Sequence, residues 1–167
     1  MTMTPTQTIQ LPADQLAEML GAATTDVFTS MLGVDVQLET LPEEARAAPF
    51  DGVLSFIGLV GRVVGNGAVI CTATTACDLS SRFLMTEFTH VDEQVLDAIG
   101  EITNMIVGGF KNLLEARLGT VHMSVPSVIH GKNISTSHLK ADMAVAVLCR
   151  YSHGELRLKI ALAATRE

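Results

Sequence analysis

Charge is scarce in this chain, and what there is does not cluster. Only 17% of the 167 residues are charged, and no segment gathers Lys or Arg into a run. Eleven basic residues against eighteen acidic ones leave a net charge of −7, which makes nucleic acid and anionic membranes poor partners. Long apolar runs are missing as well. The longest uncharged stretch, Val63 to Cys77, is too short to cross a bilayer and is diluted by Thr, Gly and Asn. The opening residues, MTMTPTQTIQ, have neither the basic start nor the apolar core of a signal peptide, so a cytoplasmic location is expected. Asn133-Ile-Ser135 then never meets the glycosylation machinery. Cysteine is rare: Cys71, Cys77 and Cys149 form no CxxC and read as small apolar fillers in a reducing compartment. His90, His122, His130, His138 and His153 show no HxxxH or His-plus-Cys spacing, and no metal site is expected in the chain. The glycines of GLVGRVVGNG lack a following GK[ST], and Ser55, Ser124, Ser127 and Ser135 lack a Gly-x-Ser-x-Gly setting. A phosphate-binding loop and a hydrolase triad are therefore unsupported.

What is present suits a folded globule. The chain is 48% hydrophobic and has the length of one domain, enough to bury roughly two-thirds of its unfolded surface. Residues 1–10 read as a flexible tail and residues 11–167 as a single domain. From Pro12 to Gly33 the apolar positions Leu16, Met19, Ala23, Val27 and Met31 recur at helical spacing and stop at a glycine. A strand, VDVQLETL, follows, then a loop around Pro42 to Pro49. The Val- and Ile-rich segment GVLSFIGLVGRVVGNGAVICTATTA reads as two strands with the hairpin turn at Gly65-Asn66-Gly67. A short helix near Asp78 to Leu84 comes next. Thr89-x-x-Asp92 resembles a capping box opening a long helix that ends before Gly119.

The second half repeats this plan. A helix ending in Leu-Gly, a strand in VHMSVPSVIHG, and a hairpin turning at Ser152-His153-Gly154 follow the order of the first half, with an offset of 86 residues (118 − 32) between the two Leu-Gly helix ends. The expected fold class is α/β in two layers (α+β): a largely antiparallel sheet, two long helices on one face, and an internal pseudo-twofold repeat.

Along the long helix, Val95, Ile99, Ile102, Ile106, Phe110 and Leu113 collect on one side as a core-facing stripe. Asp97, Glu101, Asn104, Gly108, Lys111 and Glu115 lie opposite. Such a face is ordinarily only the solvated side of an amphipathic helix. Asn, however, is a mediocre helix former placed here in mid-helix, and Gly100, Gly108 and Gly109 each cost about 1 kcal/mol relative to Ala. Gly108, one turn beyond Asn104, leaves that surface bare enough for a partner to approach.

The string Asp97-x3-Glu101-x2-Asn104, with Pro126 downstream in SVPSVIHG, resembles the signature of the CheX, CheC and FliY family of chemotaxis phosphatases, as does DVFTSMLGVDVQL in the first helix. The resemblance implies a CheC-like fold. It also implies an activity, dephosphorylation of the aspartyl phosphate of a CheY-like response regulator by a helix laid across the regulator's active site. Asn104 then positions the attacking water, and Glu101 pairs with the regulator's lysine. Asp97, Gly108 and Lys111 belong to the partner-binding face, although Asp97 is equally explained by the helix dipole. Mg²⁺ is expected in the regulator's own acidic pocket, with no cofactor in this chain. Under the 86-residue offset the first helix offers Gln15 and Glu18 in place of the pair, which implies one site and the CheX branch. A non-catalytic module that docks on a regulator or flagellar partner is the alternative, and homodimerisation is compatible with the enzyme reading.

Overall fold

The structure, a computed structural model, describes residues 9–45, 48–137 and 141–165. Of the expected tail, only Ile9 and Gln10 fall within them. The first helix, α1, spans Ala13–Val27 and buries Leu16, Met19, Leu20, Ala23 and Val27. A π-helical turn, Phe28–Leu32, follows and stops at Gly33. The wider turn shifts the helical register, so Phe28 and Leu32 enter the core while Met31, placed in the apolar stripe by spacing alone, is 48% exposed.

Strand β1 is Gln37–Thr40, and β2, Phe50–Gly61, pairs with β3, Val63–Cys71. Their hairpin does not turn at Gly65-Asn66-Gly67. Val60 stands opposite Val64 and Leu59 opposite Gly65, so the chain reverses through Gly61-Arg62. Gly61 takes φ 145°, which L side chains rarely adopt, and Arg62 N donates to Thr120 O at 3.1 Å. The Gly-Asn-Gly glycines serve close approach within the sheet instead. A Cβ at residue 65 would fall on the Ala161 carbonyl oxygen, and one at residue 67 would lie 2.8 Å from Val107 Cγ2.

Helix α2, Ala73–Leu84, is longer than the expected Asp78–Leu84 segment, because Thr72 caps it by accepting from Thr75 N. The long helix α3 is Glu93–Leu118. Its cap is Asp92, whose Oδ1 accepts from Val95 N at 2.9 Å; the Thr89 box does not open the helix. It ends at Gly119, as expected. Near that end the core-facing position falls to Leu114, fully buried, and Leu113 is 42% exposed.

The segment expected as one strand is broken in two, β4 at Val121–Met123 and β5 at Ser127–Ile134. Pro126, with no N–H to give a ladder, sits in the gap. β6, Met143–Tyr151, and β7, Gly154–Ala164, form the second hairpin, with Ser152 and His153 at its turn.

All strand pairings are antiparallel, and the order is β1-β6-β7-β3-β2-β4, with β5 also beside β2. That order is its own mirror under the repeat. β1 follows α1 and pairs with the second half's hairpin, whereas β4 follows α3 and pairs with the first half's. A pseudo-twofold axis thus passes between β3 and β7. Alternate residues of the four central strands (Val53, Ile57, Leu59; Val63, Val69, Cys71; Val145, Val147, Cys149; Leu156, Leu158, Ile160, Leu162) meet the three helices in one core. Among the described residues, the opposite face carries a small cluster of Leu54, Ala68 and Ile70, with Phe50, Phe56 and Ile134 against it. The helical layer on one face agrees with the expected α/β two-layer class.

Candidate functional site

α3 is held from three sides: α1 and α2 pack along it and the sheet lies beneath. Val95, Ile99, Ile102, Ile106, Phe110 and Leu114 are wholly buried, each worth about 1.5–3 kcal/mol of apolar burial. That anchoring fixes the rotation of the helix, and so decides what its other side presents. Asp97 and Glu101 are exposed, and Asn104 and Gly108 are half-buried beside them. The Glu101 and Asn104 β-carbons, three residues apart, stand about 5–6 Å from one another. Among the described residues, neither side chain makes a hydrogen bond or ion pair, so the Asn104 amide keeps its full capacity to accept and to donate.

The other members of the face are more constrained. Lys111 Nζ lies 3.1 Å from Glu115 Oε1, and the same oxygen accepts from Val121 N at 2.9 Å. That backbone N–H, followed by the Lys111 ammonium, holds the Glu115 carboxyl below its ordinary value. Lys111 therefore already has a partner within the chain.

Only Gly108 keeps the expected bare character. A Cβ there would meet nothing nearer than Met123 Cε at 3.7 Å. Gly100 and Gly109 have packing reasons. A Cβ at residue 100 would touch Val128 Cγ2 at 3.4 Å and Pro126 Cγ at 3.5 Å, and one at residue 109 would press on Ala23 Cβ at 3.2 Å. Pro126 thus lies against the helix, one turn from Asn104.

Metal-ligating groups do not gather near this face: no three His, Cys, Asp or Glu side chains come together among the described residues, and His138 lies outside them. The three thiols are buried. Burial pushes Cys71 and Cys149 up to about 12 and raises Cys77 as well, so all three are poor nucleophiles.

The family model for chemotaxis phosphatase CheX matches residues 53–150, more than half of the chain and all of α3. This chain belongs to the CheX family. Solved CheX structures are similar throughout. The chemotaxis protein CheX from Vibrio vulnificus is 23% identical with a TM-score of 0.79, covering 89% of this chain and 99% of its own. CheX from Desulfovibrio desulfuricans is 26% identical with a TM-score of 0.76, over 89% and 99% of the two chains. A CheX–CheY–BeF₃–Mg²⁺ complex from Borrelia burgdorferi matches at 20% identity and a TM-score of 0.74, over 92% and 99%. A search of curated proteins found no match.

Within this CheX-family chain, α1 does not duplicate the α3 face. At the position equivalent to Glu101, Gln15 Oε1 accepts from Arg117 Nη1 at 2.6 Å, a bond between the helices. Glu18, equivalent to Asn104, is an exposed acid. The loop of residues 124–126 flanking α3 interrupts what was expected as one strand. Its signal was the proline in an otherwise strand-like run.

Proposed function

We propose that the exposed face of α3 hydrolyses the aspartyl phosphate of a CheY-like response regulator, with Asn104 positioning the attacking water and Glu101 docking on the regulator. The observation that carries this reading is the pair itself: a carboxylate and an amide one turn apart, on a rigidly anchored helix, with no side-chain partner among the described residues. Water attacks phosphorus in line, the bond from phosphorus to the aspartate oxygen breaks, and phosphate leaves with the regulator's carboxylate restored. The transition state is loose, so the enzyme contributes chiefly position. A neutral amide orients the water without adding negative charge beside the phosphoryl group.

A carboxylate at residue 101 would be repelled there unless a cation intervened, and the lysine next to a regulator's phosphorylation site supplies one. Mg²⁺ belongs to the regulator's acidic pocket, as the composition of the Borrelia burgdorferi complex supports. Asp97 and Gly108 extend the docking face. Lys111 lies on the same face with its ammonium paired to Glu115. The catalytic unit is a single domain over residues 11–167 acting in the cytoplasm; no helix among the described residues is long and apolar enough to cross a membrane.

The test is to charge a CheY-type regulator with acetyl phosphate and follow phosphate release with and without this chain. Accelerated release supports the phosphatase. Binding without acceleration would replace it with a docking module.

A further inference from the structure

Residues 123–126 run alongside the catalytic turn of α3 and hold one apolar side chain out in water. Met123 lies against Gly108 and Pro126 against Gly100, with 3.7 and 3.5 Å separating their side chains from where a Cβ would stand. Those glycines are about 12 Å apart along the helix, with Asn104 midway between them. Three extended residues span about 10 Å, so Ser124 and Val125 pass level with Asn104.

The passage is pinned rather than loose. Ser124 N donates to Gly58 O at 2.9 Å, Gly58 N donates to Ser124 Oγ at 2.8 Å, and Ser124 Oγ donates to Val125 O at 3.0 Å. Pro126 closes the other end. Between these two fixings Val125 is 82% exposed. An apolar side chain held at a fixed place in solvent gains nothing for the fold, yet it has little ordering entropy left to lose on binding.

We infer that Val125 is an apolar docking anchor for the phosphorylated receiver domain, seated beside the polar pair. The inference rests on the proposed function, since the occupant is the protein that brings its phosphoryl group to Asn104. A receiver surface that reaches from Glu101 and Asn104 onto the adjoining flank covers a side chain level with them. The polar pair then supplies alignment, and Val125 supplies the desolvated contact that interfaces concentrate in a few residues.

The experiment titrates a beryllofluoride-loaded CheY-type receiver against the full chain, its Val125→Ser variant and a Val60→Ser control. Val60 is 58% exposed on the face of the sheet away from the helices. Val125→Ser is expected to raise Kd about tenfold without lowering the melting temperature, whereas Val60→Ser leaves Kd at the wild-type value. Equal affinity of wild type and Val125→Ser, or an equal loss in both variants, would overturn the inference. Phosphate release from the same wild-type preparation is followed separately. A receiver that binds wild type tightly but is not dephosphorylated removes the catalytic reading and leaves the anchor standing. A receiver that wild type does not bind removes both.

Discussion

Gly109 of α3 and Ala23 of α1 face one another across the pseudo-twofold axis, close enough that a Cβ on residue 109 would lie 3.2 Å from that of Ala23. Their numbers differ by 86 (109 − 23), the same interval that separates the two Leu-Gly helix ends. The contact is therefore one position meeting its own counterpart, and the smallness of both residues sets how near the helices come.

Gly109→Leu should accordingly destabilise the fold by about 1–3 kcal/mol, by overpacking the α1–α3 crossing. Thermal melting with far-UV circular dichroism measures this. An unchanged midpoint would mean that the crossing is not tight.

Asn104→Ala removes the amide from a half-exposed position and should leave folding intact. Phosphate release from a charged regulator should slow about a hundredfold, equivalent to about 2.7 kcal/mol of transition-state positioning. Single-turnover release with the regulator saturated isolates that step. Wild-type rates in this variant would remove Asn104 from the mechanism.

Under the proposed docking role, Glu101→Lys reverses the charge offered to the regulator's lysine. Affinity should fall, and raising the ionic strength should narrow the gap between variant and wild type, because like-charge repulsion is screened. Isothermal titration at two salt concentrations reads both effects. Indifference to this reversal would disprove the docking role.

Tyr151→Phe probes the joint between α2 and the second hairpin. Tyr151 OH donates to Asp78 Oδ2 at 2.6 Å, and Arg82 Nε donates to the same oxygen at 2.9 Å. Burial by itself would raise the Asp78 carboxyl, but the bonds from Tyr151 and Arg82, with the Arg82 charge, outweigh it and hold the group below its ordinary value. A depressed carboxyl stabilises the fold above the unfolded-state value near ~3.9, and that contribution disappears as pH falls through the lower folded-state value. Tyr151→Phe should cost about 1–2 kcal/mol at neutral pH and flatten the loss of stability on acidification. Urea unfolding at a series of pH values would show it. Parallel curves for variant and wild type would contradict the assignment.

The polar pair on α3 was legible because it is local. Glu101 and Asn104 share a helix whose period puts them together whatever the sheet does, and the apolar stripe opposite them declares which side is buried. The ends at Gly33 and Gly119 and the turn at Ser152-His153 are local in the same sense: each depends on backbone preferences within a few residues.

Only the tertiary structure could assign the glycines. Gly65-Asn66-Gly67 has the composition of a turn, yet it lies within a strand because Ala161 and Val107, remote in sequence, press close to that backbone. Gly100 and Gly109 looked like the cost of an approachable surface, but Pro126 and Ala23 occupy the space a side chain would need. The Lys111–Glu115 ion pair is local, one helical turn apart, but only the chain's return at Val121 adds a backbone N–H to the same carboxylate oxygen. A residue type reports what its own backbone can tolerate; what stands opposite it is decided by segments that meet only when the chain closes on itself.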